Sequence, residues 1–144
     1  MRIYYIFSIK EDIYEITRND PQKLYEALEN VHVTSSSNLP LSLKTYEKLI
    51  NPLDKRNLDL LIKSINEDNM NYMCFNNTHL INDFYTSENT KLILNNTYMK
   101  LKSNASFPSF FKDMKKIPFL FVCDFVNMDY FYLNEITSKT CVNV

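Results

Sequence analysis

The sequence of 144 residues contains no glycine, and this absence excludes several kinds of functional site. A loop that binds phosphate needs left-handed backbone conformations or close approach of the backbone to the ligand, and glycine supplies both. The nucleotide-binding GxGxxG and Walker loops and the GxSxG turn of α/β-hydrolases are therefore missing. Turns and helix ends must use other residues, and we expect asparagine and aspartate to take the left-handed positions.

Strong net charge and long apolar segments are also missing. The net charge is −1, which gives no general basic field for tracking nucleic-acid phosphates. The longest apolar run, residues 117–123, contains a proline and falls far below the roughly 20 residues that span a bilayer. The N-terminus lacks the apolar region and the cleavage site of a signal peptide. We expect a cytoplasmic protein without membrane or nucleic-acid partners, and direct DNA binding is the weakest alternative.

Residues that carry catalysis or bind metal are few. The three cysteines, Cys74, Cys123 and Cys141, are too widely spaced for a disulfide framework or a zinc pattern. His32 and His79 are the only histidines, and each stands alone in a predicted loop or strand. The sequence therefore predicts no enzyme and no cofactor, although an enzyme that uses Cys123 or His79 remains an alternative.

Asp124 is an unusual residue for its surroundings, because it follows the apolar stretch PFLFVC. A buried strand of this kind favours a buried, unreactive thiol at Cys123, since a reactive thiolate needs an accessible and electropositive site. We expect Asp124 to end the strand and to accept hydrogen bonds from the backbone. A catalytic carboxylate is the other reading, but no second acid stands at a recognisable spacing.

The first half of the chain predicts one strand followed by helices. Apolar residues occupy nearly every position of the first strand, which is typical of a central strand. Asp20-Pro21 is typical of a helix start, with aspartate at the cap and proline in the first turn. The predicted strand is Ile3–Ile9, the predicted helices are Lys10–Arg18, Pro21–Val31, Leu41–Ile50 and Lys55–Asn66, and a loop is predicted at His32–Pro40.

The second half predicts short strands, one helix and a closing hairpin. Clusters of Asn, Asp, Ser and Thr divide the strands, as in a meander. The predicted strands are Met70–Phe75, Leu80–Tyr85, Lys91–Leu94, Thr97–Lys102, Phe119–Phe125 and Tyr130–Ile136, and the predicted helix is Ser106–Ile117. This pattern indicates a single α+β domain over residues 1–137, in which helices pack against a mostly antiparallel sheet with the N-terminal strand at its centre. Residues 138–144 are predicted to be a frayed tail.

Two blocks of sequence resemble a known family. RIYYIFSIKED at residues 2–12, followed by LYEAL at 24–28, resembles the start of the sporulation inhibitor of replication family, the SirA-like proteins. PFLFVCDFVNMDYFYLN at residues 118–134 is similar to the C-terminal hairpin of the family, and FFKDMKKI before it also matches in kind. The order and spacing of these blocks fit over most of the chain.

The resemblance implies a protein that inhibits without catalysis. Members of the family bind the N-terminal domain of the replication initiator DnaA and restrain the initiation of chromosome replication as cells enter sporulation. The inhibitor covers a surface that DnaA uses to assemble at the origin. In the family, this contact is made by the helix after the first strand and by the helical segment before the next proline.

Carried over to this chain, the resemblance places the contact at Ile13 and Thr17 on the first helix and at Thr45 on the later one. The family favours aromatic side chains at the first two positions, whereas the aromatic residue here is Tyr14. An adaptor with the same fold but a different protein partner is therefore the alternative function. We expect the protein to act as a monomer.

Helical periodicity gives a separate prediction for the same helix. At about 100° per residue, Ile9, Ile13 and Ile16 fall on one side and are expected to face the sheet. Lys10, Tyr14 and Thr17 continue round to the rim of that face. The predicted contact surface thus consists of five residues: Lys10, Ile13, Tyr14, Thr17 and Thr45.

Overall fold

Seven strands build one antiparallel sheet in residues 1–34 and 39–135, the part of the chain that the computed structural model describes. The helices of this part lie on both faces of the sheet. The strands are β1 (Arg2–Ser8), β2 (Tyr72–Phe75), β3 (Thr78–Asp83), β4 (Glu88–Leu94), β5 (Met99–Ser103), β6 (Leu120–Asp124) and β7 (Asp129–Tyr132). The α-helices are α1 (Glu11–Thr17), α2 (Pro21–Thr34), α3 (Leu39–Leu49), α4 (Lys55–Asn66) and α5 (Ser109–Met114), and a 3₁₀ helix covers Leu133–Glu135.

β1 lies in the interior of the sheet, as its uninterrupted apolar sequence predicts. The strand order is β2-β3-β4-β5-β1-β6-β7, and every neighbouring pair is antiparallel. Tyr5 pairs with Lys100 on β5 and with Cys123 on β6, so β1 has a strand on each side. The predicted α+β class, with a mostly antiparallel sheet, packed helices and a central N-terminal strand, is confirmed.

Side chains of β1 alternate between the two faces of the sheet and enter two separate cores. Tyr4 and Ile6 join the core beneath α4 and α5, and we call this side the α4/α5 face. Phe7 joins the core beneath α1, α2 and α3, which defines the α1–α3 face. The helical period predicted for α2 is confirmed, because its repeating apolar residues are buried in this second core: Leu24, Leu28 and Val31.

The loop predicted for residues 32–40 is wrong at both ends. α2 continues through Thr34, and α3 already begins at Leu39. The serine- and threonine-rich composition indicated a loop, but the histidine of this last turn stacks on an aromatic ring beside the sheet, with 4.7 Å between ring centroids. That tertiary contact stabilises the helical turn. The middle of the loop, the tail 138–144 and the predicted domain boundary at residue 137 lie outside the described residues.

The strand predicted for Leu80–Tyr85 ends two residues early. Asp83 Oδ1 accepts hydrogen bonds from the backbone N–H of Tyr85 at 2.9 Å and of Thr86 at 3.3 Å, which closes a turn. Phe84 and Tyr85 therefore lie in this turn, with 95% and 98% of their surface exposed. Their high β-propensity predicted a strand, but the aspartate turn overrides it.

Left-handed backbone conformations occur without glycine at four described positions: Asn76, Ser87, Phe119 and Met128, with φ between 53° and 61°. Only Asn76 fits the expectation that asparagine and aspartate would take these positions. Phe119 is the most unusual, because a bulky side chain is strongly disfavoured there. Its carbonyl accepts a hydrogen bond from the Ile9 N–H at 2.9 Å, so tertiary contacts hold the strained residue in place.

β4 begins before its predicted start at Lys91, because Glu88 belongs to a buried polar network. The Glu88 carboxylate accepts hydrogen bonds from Thr90 Oγ1 at 2.6 Å, from the Ser109 N–H at 3.0 Å and from the Ser109 hydroxyl. Thr90 also shares a hydrogen bond with Ser103 on β5. The carboxylate therefore fastens the first residue of α5 to the sheet, where the positive end of the helix favours a negative charge.

Replacing Glu88 with glutamine should lower the free energy of unfolding by about 1.5 kcal/mol, because the amide puts a donor among groups that already donate. Urea denaturation at neutral pH measures this loss. Glu47→Gln is the matched control, because that glutamate is exposed on α3 and should change stability little. Equal stabilities of the two variants would contradict a structural role for the buried network.

Candidate protein-binding surface

The backbone between β1 and α1 is joined to the end of α3. Ile9 forms an isolated antiparallel bridge with Ile50, and the Lys10 N–H donates to the Leu49 carbonyl at 3.2 Å. The Lys10 backbone is extended, with φ −61° and ψ 142°, so it caps α1 from outside the helix. The last turns of α3 therefore lie beside the start of α1. This arrangement places the helix that carries Thr45 next to Lys10 and to the helix that carries Ile13, Tyr14 and Thr17.

Tyr14 packs inward against the sheet. Its ring centroid lies 4.8 Å from that of Phe119 and 5.1 Å from that of Tyr132, and the side chain is half-buried. Ile13 is also half-buried and packs against the same core. These contacts fix the rotation of α1 about its own axis, so that only part of each side chain is open to a partner.

Thr17 and Thr45 are both half-buried, like Lys10. The Thr17 hydroxyl donates to the Ile13 carbonyl at 2.7 Å, so its polar group is used within α1. Thr45 precedes the buried Tyr46 on α3 and stands one helical turn before the end of that helix. Of the five predicted contact residues, Ile13, Tyr14 and Thr17 thus lie on α1, Lys10 precedes that helix, and Thr45 stands on the adjoining helix.

The expectation that Ile16 faces the sheet is wrong. Ile16 exposes 75% of its surface, whereas Ile13 and Tyr14 take the inward side. The periodicity treated Ile9 as the first member of the helical face, but Ile9 lies before α1 and is buried through its bridge to the end of α3. The packing of the Tyr14 ring therefore determines which side of α1 faces the sheet.

The outward side of α1 carries one exposed apolar side chain, Ile16, beside acidic residues. Ile16 is flanked on the helix by Asp12 and Glu15, and these acids and Glu11 are exposed. A shallow depression runs along this side, lined by Lys10, Glu11, Asp12, Glu15 and Asn51. The sequence carried a signal for this side, because Asp12 and Glu15 stand four and one residues before Ile16 and mark a solvated face.

An exposed apolar side chain with acidic residues beside it is suited to binding a protein partner. A single large apolar residue on an exposed helix can enter a pocket, and the surrounding carboxylates can pair with basic groups. The depression beside α1 is too shallow to enclose a small molecule. This surface is the candidate contact site.

Cys123 and His79, the two residues of the catalytic alternative, do not share a site. Cys123 lies in the core of the α1–α3 face, whereas the His79 ring faces Phe110 of α5 on the α4/α5 face. The sheet therefore separates the two side chains. Cys123 is fully buried, and burial raises the pKa of its thiol, which disfavours the nucleophilic thiolate.

Asp124 ends β6 and stabilises a turn and the N-terminus. Its carboxylate accepts a hydrogen bond from Arg2 Nε at 2.8 Å, from Asn127 Nδ2 at 2.7 Å and from the Asn127 N–H at 3.2 Å. Burial opposes the charged form, but the hydrogen bonds from Asn127 and Arg2 outweigh it and hold the pKa of Asp124 below its usual value. The expected backbone contact is present, and the ion pair adds a connection between β6 and β1.

No helix in residues 1–34 and 39–135 has the length and apolar character needed to cross a membrane. A comparison with curated proteins gives no match. The family resemblance carried by the N-terminal and C-terminal blocks is confirmed by a comparison with family models. The model described as sporulation inhibitor of replication protein SirA matches residues 2–137, and the chain therefore belongs to that family.

Proposed function

We propose that this protein restrains the initiation of chromosome replication by binding the N-terminal domain of DnaA as cells enter sporulation. The observation that carries the proposal is the family match over residues 2–137, because the family is named for this inhibition. The protein acts in the cytoplasm as a monomer and has no catalytic step. It prevents DnaA from assembling at the origin by covering a surface that assembly requires.

The contact is made by α1 together with the adjoining part of α3. Lys10, Ile13, Tyr14 and Thr17 form its inner rim, and Thr45 extends it onto α3. The exposed Ile16 adds an apolar side chain to it. Interfaces of this kind depend on a few well-buried anchors surrounded by contacts that exclude water.

Two physical features support α1 as the contact element. Its rotation is fixed by the packing of Tyr14 on Phe119 and Tyr132, so little conformational entropy is lost on binding. Its first turn carries Glu11 and Asp12, which favour approach by a basic surface and make the association rate sensitive to salt. A rigid helix with a charged rim is suited to rapid and specific occlusion.

An adaptor for another protein is the second candidate function. The observation in its favour is the side-chain set of α1, since Ile13 and Thr17 stand where the family favours aromatic anchors. Tyr14, which is the aromatic residue of this helix, is engaged with the sheet. A different anchor pattern selects a different pocket.

The direct test is calorimetric titration of the purified protein with the DnaA N-terminal domain of the same organism. We expect one inhibitor per domain and a dissociation constant in the micromolar range or below, as for regulatory contacts of standard size. Absence of heat at about 100 μM of both proteins, well above that range, would contradict the DnaA proposal and favour the adaptor. An initiator domain from a distant bacterium controls for nonspecific association.

A further inference from the structure

Three potential metal ligands from α4, β2 and β3 meet on the α4/α5 face. Cys74 on β2 and His79 on β3 are paired directly across their hairpin, so both side chains point to the same side of the sheet. Asp59 approaches them from α4, which packs on this face of the sheet. The Asp59 Oδ1 atom lies 3.0 Å from His79 Nε2 and 3.9 Å from Cys74 Sγ, and the three ligand atoms lie within 4.8 Å of one another.

The His79 ring is fully buried, and one of its nitrogens is unsatisfied. The Nδ1 atom is hydrogen-bonded to the Tyr72 hydroxyl at 2.6 Å. Within the described residues, no group is oriented to hydrogen-bond with Nε2, although Asp59 Oδ1 is close to it. A buried polar atom without a partner is costly. If Nδ1 carries the proton, the lone pair of Nε2 faces a carboxylate oxygen, and a cation between the two atoms relieves this repulsion.

The spacing of the three ligand atoms is close to that of a zinc site. With metal–ligand distances of about 2.0 Å to nitrogen and oxygen and about 2.3 Å to sulfur, a tetrahedral ion separates N and O by about 3.3 Å and S and O by about 3.5 Å. The observed separations are 3.0 Å and 3.9 Å. The third separation, between Nε2 and Sγ, is at most 4.8 Å, against about 3.5 Å at a tetrahedral ion, so the Cys74 side chain has to rotate toward the other two ligands when the ion binds. The fourth position is left for water.

The neighbouring residues orient the ligands as the outer shell of a metal site does. Tyr72 holds Nδ1 of His79, which directs Nε2 toward Asp59 and Cys74. Lys63 Nζ forms an ion pair with Asp59 Oδ2 at 3.0 Å, which leaves Oδ1 for the cation. Asp59 exposes 23% of its side chain and Cys74 is half-buried, so an ion can enter from solvent.

We propose that Asp59, Cys74 and His79 form a binding site for one Zn²⁺ ion. A thiolate, an imidazole and a carboxylate together suit zinc among the common divalent ions, whereas Mg²⁺ and Ca²⁺ prefer oxygen alone. On binding, the Cys74 thiol releases its proton to solvent and the Sγ–Zn bond forms. The ion then connects α4 to β2, which is an edge strand of the sheet.

The test uses chelator-treated protein without an affinity tag, titrated with Zn²⁺ by calorimetry and with Co²⁺ by absorption spectroscopy. We expect one ion per chain, a thiolate-to-cobalt charge-transfer band, and a higher midpoint of thermal unfolding with Zn²⁺. Cys74→Ala and Asp59→Asn should each weaken Zn²⁺ binding by at least about 100-fold. Cys74→Ala should also abolish the charge-transfer band.

Cys123→Ala is the matched control, because it removes a thiol from the opposite core and should leave both the affinity and the band unchanged. Circular dichroism establishes that each variant is folded, and Asp59→Asn tests the site at a partly exposed position if Cys74→Ala fails to fold. Failure of the wild type to bind a single Zn²⁺ ion would overturn the proposal. Unchanged binding in both Cys74→Ala and Asp59→Asn would overturn it as well.

Discussion

Replacing Ile16 with glutamate should weaken binding to the DnaA N-terminal domain by at least about 30-fold, the effect of losing one hot-spot residue of about 2 kcal/mol. Ile16 exposes 75% of its surface beside the acidic residues of α1. In the complex, its side chain should be buried in an apolar pocket, and a carboxylate at that position would have to be desolvated without a partner. Calorimetric titration of the variant measures the loss.

The same substitution should leave the fold intact, because Ile16 makes little contact with the rest of the chain. Its thermal midpoint is expected to stay within a few degrees of the wild type. Met70→Glu is the matched control, because Met70 exposes 98% of its surface in the connection between α4 and β2. This variant adds the same charge away from α1 and should bind normally. If Ile16→Glu binds as tightly as Met70→Glu, the outward side of α1 is not in the interface.

Tyr14 gives a less direct test than Ile16. Replacing it with alanine removes a ring from between Phe119 and Tyr132, so α1 loses the contact that fixes its rotation. Any loss of binding would then combine a missing contact with a displaced helix. Tyr14→Phe keeps the ring packing and removes only the hydroxyl, and it therefore separates these two contributions.

The sheet was predictable where the pattern of side chains is simple. The apolar run of β1 predicted a central strand, and the clusters of polar residues between β2 and β5 predicted the meander. Strand ends were less predictable, because they depend on single hydrogen bonds. The Asp83 carboxylate ends β3 although Phe84 and Tyr85 favour a strand, and the Glu88 network starts β4 early.

The surface of α1 was predictable in its location but not in its orientation. The sequence identified the helix, yet two contacts outside it decide which side is buried: the bridge of Ile9 to Ile50 and the stacking of Tyr14 on Phe119. Both join residues far apart in the chain, and periodicity within one short helix carries no information about them. Periodicity alone therefore places Ile16 on the wrong side.

The sequence does not predict the cluster of Asp59, Cys74 and His79, for a related reason. Metal sites are recognised in sequences by close ligand spacing, and here the spacing from Asp59 to the hairpin is long. Cys74 and His79 are opposed only through the register of β2 and β3, which the turn at Asn76 sets. The CFNNTH segment at residues 74–79 therefore indicated that Cys74 and His79 could lie opposite each other in a hairpin. The approach of Asp59 on α4 follows from tertiary packing and has no such pattern in the sequence.

Replacing Asp124 with asparagine should lower the free energy of unfolding at pH 7 by about 2 to 3 kcal/mol, because hydrogen bonds to a charged group are lost in a buried position. Asp124 exposes 1% of its surface and accepts three hydrogen bonds, one of them from Arg2 on the central strand. Arg2 exposes 40% of its side chain, so water can solvate it in the variant, and the loss stays below that of a fully buried pair. Urea denaturation measures this difference.

The loss should depend on pH in one direction. The pKa of Asp124 is lowered in the folded protein, because the hydrogen bonds from Asn127 and Arg2 outweigh burial. The carboxylate therefore stabilises the fold above its unfolded pKa of about 3.9, and this stabilisation is lost as the pH falls through the folded pKa. We expect the unfolding curves of the wild type and Asp124→Asn to approach each other between pH 4 and the acid limit of folding, at about pH 2 to 3.

Asp83→Asn is the matched control for this prediction. Asp83 also closes a turn between two strands by accepting backbone N–H groups, but it forms no ion pair with any residue that the structure describes. Its substitution should cost less at pH 7. An equal loss in the two variants would assign the effect of Asp124 to the turn alone. A larger loss for Asp124→Asn that diminishes in acid assigns the excess to the pair with Arg2, and so to the connection between the C-terminal hairpin and the central strand.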